Sequence, residues 1–267
     1  MEYALPWSLF RFGRSAPGPD VRWKPLLQAA LATPYYLNHP RRASLERGAQ
    51  SGSAAVLENL APLPLREFYQ RVREFHNPAA PLPPPRSLQP PWTSASRAVA
   101  LQVWFPLDPG ITQWTDIRPD QLAASGVESL AAPVTVLRQL AALAMETGFR
   151  LPSLRHGILA LMSVGRPCLT QADRDLLWHA FQVPVYEQFR GFHGELLAME
   201  CARHQGLHVQ PECAVFETSG VDLLLTSLVN LRHPALRLTT GITGIIDTAP
   251  CPCALTTPRL RHLACSK

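Results

Sequence analysis

Lysine is nearly missing from this chain: Lys24 and Lys267 are the only two, so a net charge of +5 rests almost wholly on arginine. Charged residues make up 17 % of the sequence, against roughly 25 % in ordinary soluble domains. The arginines are scattered, and no basic stripe with interleaved aromatics forms, so the footprint of a nucleic-acid binder is missing. No run approaches the ~20 apolar residues of a membrane span, and the Met1-Glu2 start lacks the basic segment and apolar core of a leader. The expected location is the cytoplasm, with neither membrane nor nucleic acid among the partners. Neither Gly-x-Ser-x-Gly nor Gly-x-Gly-x-x-Gly occurs, which excludes a nucleophile elbow and a dinucleotide fingerprint. Gly241-x-x-Gly244 is too short to be a nucleotide loop, and there are no internal repeats.

What is present is a globular composition. Of 267 residues, 46 % are apolar, enough for one good core and a small extra subdomain. The 27 prolines are about twice the average share and point to loops and a docking partner. Pro25 to Ala32 reads as a short helix with proline near its first position. Leu65, Phe68, Tyr69, Val72 and Phe75 share one face of an amphipathic helix that Asn77-Pro78 stops. The stretch Pro78 to Pro91 reads as a stiff spacer or, alternatively, as a polyproline ligand. Val99, Leu101, Val103 and Phe105 alternate as a strand ended by Asp108-Pro109-Gly110. A helix is expected from Pro133 to Glu146 with Gly148 as its C-cap, and another after a Thr170-x-x-Asp173 capping box. Strands near Val183–Tyr186, Ala214–Glu217 and Leu223–Thr226 complete an α/β pattern. The chain then divides into a helical lead-in (1–77), a Pro-rich linker (78–95) and an α/β zinc-binding domain (96–267).

Four residues stand out chemically: Cys201, His208, Cys251 and Cys253. Two short-range pairs brought together by a fold supply three thiolates and an imidazole, the closed tetrahedral shell of a structural zinc. The competing reading is four unrelated residues, since cysteine favours interiors anyway. With these four in metal spacing, the six cysteines fit a reducing compartment better than a disulfide framework. Cys168, Cys213 and Cys265 belong to no motif and are expected to pack as small apolar groups. His193 with Glu195 is a candidate acid/base pair or, between Gly191 and Gly194, a solvated loop. His204, between two of the ligands, is either an alternative ligand or a solvent-facing loop residue.

The segment Glu200-Cys201-Ala202-Arg203-His204-Gln205-Gly206-Leu207-His208-Val209 resembles the E-C-x-x-x-x-G-L-H-V segment of phenylacetate-CoA ligase-like adenylate-forming enzymes. Thr226, Pro234 and Arg237, leading to Thr240-Gly241-Ile242, are similar to that family's run into its T-G-D motif. Pro250-Cys251-Pro252-Cys253, followed by Pro258-Arg259-Leu260, is similar to its C-x-C-G…P-R segment. More loosely, Ala132-Pro133 to Gly148, Leu154 to Phe181 and Val183 to Glu187 follow the family order. Leu26 to Tyr36 and Leu57 to Phe75 look like its helical lead-in. The resemblance implies a shortened adenylate-forming body of mixed sheet flanked by helices, with a small helical N-terminal unit and a structural zinc near the C-terminus. It carries the metal roles to Cys201, His208, Cys251 and Cys253, and nucleotide contacts to Arg237, Thr240 and Gly241.

Departures from the family pattern fall throughout the site where ATP, magnesium and CoA chemistry is expected. A Ser/Thr/Gly-rich phosphate loop is replaced by Asn77-Pro78-Ala79-Ala80-Pro81-Leu82-Pro83-Pro84-Pro85, which lacks amide donors at its prolines. The family's Gly-Glu turn is Gly165-Arg166, and its aromatic-Gly-x-Thr-Glu turn is replaced by Phe189 through Glu195. The ribose-binding Asp falls on Ile242, which offers no acceptor. The family's C-terminal lid is expected to be absent after Leu260. The expectation is a non-catalytic, zinc-stabilised relative that binds a protein partner, a second copy or an acyl or aryl ligand, without ATP, magnesium or CoA. Two alternatives are an ATP-dependent carboxylate-CoA ligase in which Glu195 holds magnesium and a partner chain supplies the lid, and a zinc hydrolase with His208 displaced.

Overall fold

Strands that read as continuous apolar runs belong to a sheet covered on both faces. The computed structural model describes residues 19–91 and 97–266. Within them, Ser129–Pro133 and Gly157–Ser163 are strands buried at every position. The helices are α1 (Pro19–Leu31), α2 (Pro34–Leu37), α3 (Arg42–Ser51), α4 (Leu65–Gln70), α5 (Pro119–Ala124), α6 (Val134–Thr147) and α7 (Gln171–Phe181). The strands are β1 (Ala98–Leu101), β2 (Thr112–Trp114), β3 (Ser129–Pro133), β4 (Gly157–Ser163), β5 (Val185–Arg190), β6 (Leu196–Glu200), β7 (Leu207–Val209), β8 (Ala214–Ser219), β9 (Asp222–Ser227), β10 (Leu238–Asp247) and β11 (Arg259–Cys265). The Met1-Glu2 start, positions 92–95 of the expected linker and Lys267 lie outside the described residues.

These strands form one mixed sheet in the order β2-β1-β3-β4-β5-β6-β7-β11-β10-β9-β8. Strands β1 to β5 are parallel, and from β5 to β8 every neighbour is antiparallel. The period of two sends side chains to opposite faces. Ile158, Ala160 and Met162 join the main core with Leu137, Leu140 and Ala141 of α6. Leu159 and Leu161 join a second cluster covered by Leu88, Val103, Phe105 and Leu107. Residues 78–91 thus run along that second face, where the Gln188 amide donates to the carbonyls of Leu88 and Gln89 at 2.6 and 2.9 Å.

Helix α6 ends at Gly148, whose φ of +72° is the left-handed conformation that favours glycine. Helix α7 opens on a complete capping box: Thr170 accepts from the Asp173 amide while Asp173 accepts from the Thr170 amide. The first helix differs from expectation, starting at Pro19 and running through Pro25. Trp23, Leu26, Leu27 and Ala30 form a fully buried stripe, and that burial offsets the ~3 kcal/mol cost of an interior proline. The expected helix over 65–75 is α4 followed by a 3-10 turn, Val72–Phe75. The tighter turn seats Phe75 against Tyr35, with ring centroids 4.1 Å apart. Strand β1 stops at Leu101 because Gln102 takes a φ of +48°, so Val103 and Phe105 pack from irregular backbone.

The N-terminal helices dock on the antiparallel half of the sheet through polar contacts. Leu63 pairs in parallel with Leu238, and the Leu65 amide donates to Thr239 Oγ1 at 2.8 Å. The Leu236 amide donates to the buried hydroxyl of Tyr36 at 2.9 Å.

Candidate metal centre and adjoining cleft

Strand order brings together what the sequence keeps apart. Cys201 follows β6, His208 lies within β7, and Cys251 and Cys253 stand in the β10–β11 connection. Because β11 pairs with β7 at Arg259↔His208, the connection folds over the end of β6 and β7. The ligand atoms of Cys201, His208, Cys251 and Cys253 all lie within 4.8 Å of one another. Cys201 Sγ is 3.9 Å from Cys251 Sγ, close to the edge of about 3.8 Å that a tetrahedron with 2.3 Å Zn–S bonds requires. Cys253 Sγ is 3.3 Å from His208 Nε2, while His208 Nδ1 meets Thr257 Oγ1 at 3.3 Å. That second contact orients the ring with Nε2 toward the cluster.

Burial pushes the Cys201 thiol up to about 12, reinforced by the neighbouring Cys253 and Cys251. Burial also pushes Cys253 up, and it pulls His208 down with help from the Arg259 cation. For Cys251 burial acts upward but is outweighed by hydrogen bonds from Cys253 and Cys201, so this thiol is lowered. Arg259, 3 % exposed, is itself held by Asp247 at 2.7 Å. The donor set fits a thiophilic divalent ion, whose binding expels the thiol protons. His204 lies outside the cluster: its ring stacks on Tyr186 at 4.7 Å and its Nδ1 meets Glu200 at 3.1 Å. A zinc hydrolase with His208 displaced finds no support, since the imidazole faces the three thiols and is 1 % exposed.

A narrow, mostly apolar cleft lies beside α4. Phe68, Tyr69, Val164, Phe192, Leu225 and Leu238 line it, together with Ser163, Ser227, Asn230 and His233. The Ser227 hydroxyl is buried with no hydrogen-bond partner among the described residues. The ring of His193 does not pair with Glu195. Its Nε2 meets His233 Nδ1 at 2.9 Å, and the His76 ring lies 5.1 Å from that of His233. Glu195, 2 % exposed, accepts from the His193 amide at 2.9 Å and sits 3.9 Å from Arg86. It is therefore neither a solvated loop carboxylate nor one facing a histidine ring. Burial lowers His193, and burial with the facing His193 lowers His233 to about 4.

Arg166 lies over the Trp104 ring at 4.4 Å. Gly165 packs so tightly against α4 that a Cβ there would stand 2.9 Å from the Leu65 side chain. Tyr69 donates its hydroxyl to Val164 O at 3.3 Å. Gly241 lies beside the same turn, with the Thr240 hydroxyl donating to Leu223 O at 2.9 Å. The Arg237 guanidinium points elsewhere, to the carbonyls of Leu57 and Leu60 and to Glu217 at 3.3 Å. Ile242 is fully buried.

One buried network had no counterpart in the motif reading. Arg174 reaches Glu187 at 2.8 Å and Glu200 at 3.0 Å. Burial raises Glu187 to about 7, with Arg174 opposing and Glu200 adding to the rise. The available signal was Glu200 in the otherwise apolar Leu196–Glu200 strand, since a buried charge demands a partner.

No protein-family profile matches the sequence, and no curated protein matches it. The fold, however, matches solved 2-hydroxyisobutyryl-CoA ligase. Its open conformation with 2-HIB-AMP and CoA superposes with a TM-score of 0.65 at 15 % identity, covering 91 % of this chain and 67 % of that one. Its postadenylation state with R3-HIB-AMP gives 0.67 at 14 % identity, covering 91 % and 65 %. The chain shares the fold of that CoA ligase over about two thirds of the ligase's length. No helix among the described residues is long and apolar enough to cross a membrane.

Proposed function

We propose that this chain is a non-catalytic, zinc-stabilised relative of the phenylacetate-CoA ligase-like enzymes that acts by binding, its ligand a small acyl or aryl compound held in the cleft beside α4. The observation that carries the reading is the Gly165-Arg166 turn. Where the family pattern has a carboxylate, the turn presents a cation stacked on Trp104 and is covered by Leu65 and Tyr69. Ile242, in place of an acidic ribose ligand, adds no acceptor. The cleft, about 30 Å³ as it stands, offers an apolar lining with Ser227, Asn230 and His233 converging on it, and it must open to admit an acyl or aryl group.

Zinc would be held by Cys201, His208, Cys251 and Cys253. Its chemistry there is structural: with four protein ligands no position stays open for substrate. Three thiolates, a neutral imidazole and a divalent ion sum to −1, and Arg259 places a guanidinium beside that charge.

Metal content by mass spectrometry and calorimetric titration of the purified protein test the reading together. One zinc per chain, no ATP binding, and binding of phenylacetate or benzoate weakened by Ser227→Ala are expected. Micromolar, magnesium-dependent ATP binding would overturn it and favour the ATP-dependent ligase, with Glu195 as the magnesium candidate.

A further inference from the structure

Cys168 and Cys265, which belong to no motif, are neighbours in the fold. Cys168 lies in the β4–α7 connection and is buried, whereas Cys265 ends β11 and is exposed, contrary to the packing role expected from sequence. The Cys168 amide donates to Cys265 Sγ at 3.2 Å, and the same sulfur lies 3.9 Å from Arg166 O.

Three backbone contacts hold this approach in register. Cys265 pairs with Ile242 across β10–β11, the Ser266 amide donates to Gly241 O at 2.9 Å, and the Gly165 amide donates to Thr240 O at 2.9 Å. The β4–α7 connection and the end of β11 are therefore both anchored to one stretch of β10. The Cys265 sulfur meets both the amide and the side chain of Cys168, and a disulfide requires the two Cβ atoms to stand about 3.5–4.5 Å apart. Arg138 lies within electrostatic reach of both sulfurs and donates to Cys168 O at 3.2 Å. Burial first, then the neighbouring Cys265 sulfur, pushes the Cys168 thiol well above its ordinary value, with Arg138 opposing.

We propose that Cys168 and Cys265 form a reversible redox pair, closed by exchange with a low-molecular-weight disulfide such as oxidised glutathione. The exposed Cys265 thiolate attacks the glutathione disulfide, forming a mixed disulfide and releasing one glutathione thiolate. Cys168, on losing its proton, then attacks Cys265 Sγ and releases the second glutathione. Two protein thiols become one disulfide, and the two electrons leave on two reduced glutathiones. Closure ties the Gly165-Arg166 turn to β11, at the edge of the cleft that Val164 lines. This pair is separate from Cys201, Cys251 and Cys253.

The test treats the full chain, with its metal in place, with oxidised glutathione at mildly alkaline pH, blocks free thiols with N-ethylmaleimide and maps the digest. Expected is a Cys168–Cys265 cross-linked peptide, with alkylation lost at both positions in step. The Cys168→Ser variant should accumulate a glutathione adduct on Cys265, and Cys265→Ser should leave Cys168 reduced. A wild-type protein that accumulates the Cys265 adduct while Cys168 stays alkylatable overturns the proposal. So does oxidation confined to Cys201, Cys251 and Cys253.

Discussion

Cys201 and Cys251 place their sulfurs 3.9 Å apart only because β11 lies beside β7. Replacing Cys251 by Ser removes one of three thiolate donors. On the proposed zinc site, the variant should bind no zinc and melt lower by roughly 5 °C or more, since metal-binding free energy adds to folding free energy. Metal analysis and calorimetry read both effects, and an unchanged melting curve with metal retained would sink the structural role. Acid should release the metal as the thiolates and His208 take up protons.

Asp173 accepts from the Thr170 amide and hydroxyl at 2.8 and 2.7 Å and from Arg138 at 2.6 Å. The hydrogen-bonded Arg138 holds its carboxyl down at about 2, from an ordinary 3.8, with burial opposing and Thr170 assisting. A depressed carboxyl stabilises the fold above its unfolded value and loses that contribution as pH falls from ~4 toward 2. Asp173→Ala should cost about 1–2 kcal/mol near neutrality and flatten the acid limb of the stability curve, as measured by urea unfolding.

Glu187 titrates in the opposite sense. Its carboxyl is raised from 4.5 to about 7, chiefly by burial. Stability from this group is complete below pH 4.5 and is lost as pH rises toward 7. Wild type minus Glu187→Gln, followed by urea unfolding across that window, isolates the slope; parallel curves would refute the assignment. Arg174→Met, which strands two buried acids, should cost about 3–5 kcal/mol.

His233 is lowered to about 4 from 6.5 by burial first, then by His193, His76 and Arg232. Stability is complete above pH 6.5 and declines as pH falls toward 4, because only the unfolded imidazole takes up the proton freely. His233→Gln should remove that decline. Chemical-shift titration of the imidazoles checks the group directly, and an ordinary midpoint near 6.5 would refute it.

The features readable in the sequence were those whose partners lie within a turn or two. Gly148 caps α6 and Thr170 meets Asp173 because capping geometry spans only a few residues. Of the face read over Leu65 to Phe75, Phe68 and Phe75 are buried but Tyr69 is exposed, and the change to a 3-10 turn answered to Tyr35, far away in sequence. On the second sheet face Leu88 carried no periodicity to read, and the Val99-to-Phe105 alternation overran the strand, which ends at Leu101.

By itself the sequence determined the chemical inventory and its local geometry: the donor set of three thiols and an imidazole, the capped helices and the apolar strands. Only the tertiary structure decided who meets whom. Strand order set His208 against Cys253, Arg174 between Glu187 and Glu200, His193 against His233 instead of Glu195, and Cys265 against Cys168. Such pairings depend on how an entire sheet is assembled, and residue spacing along a chain carries no record of which strand lies beside which.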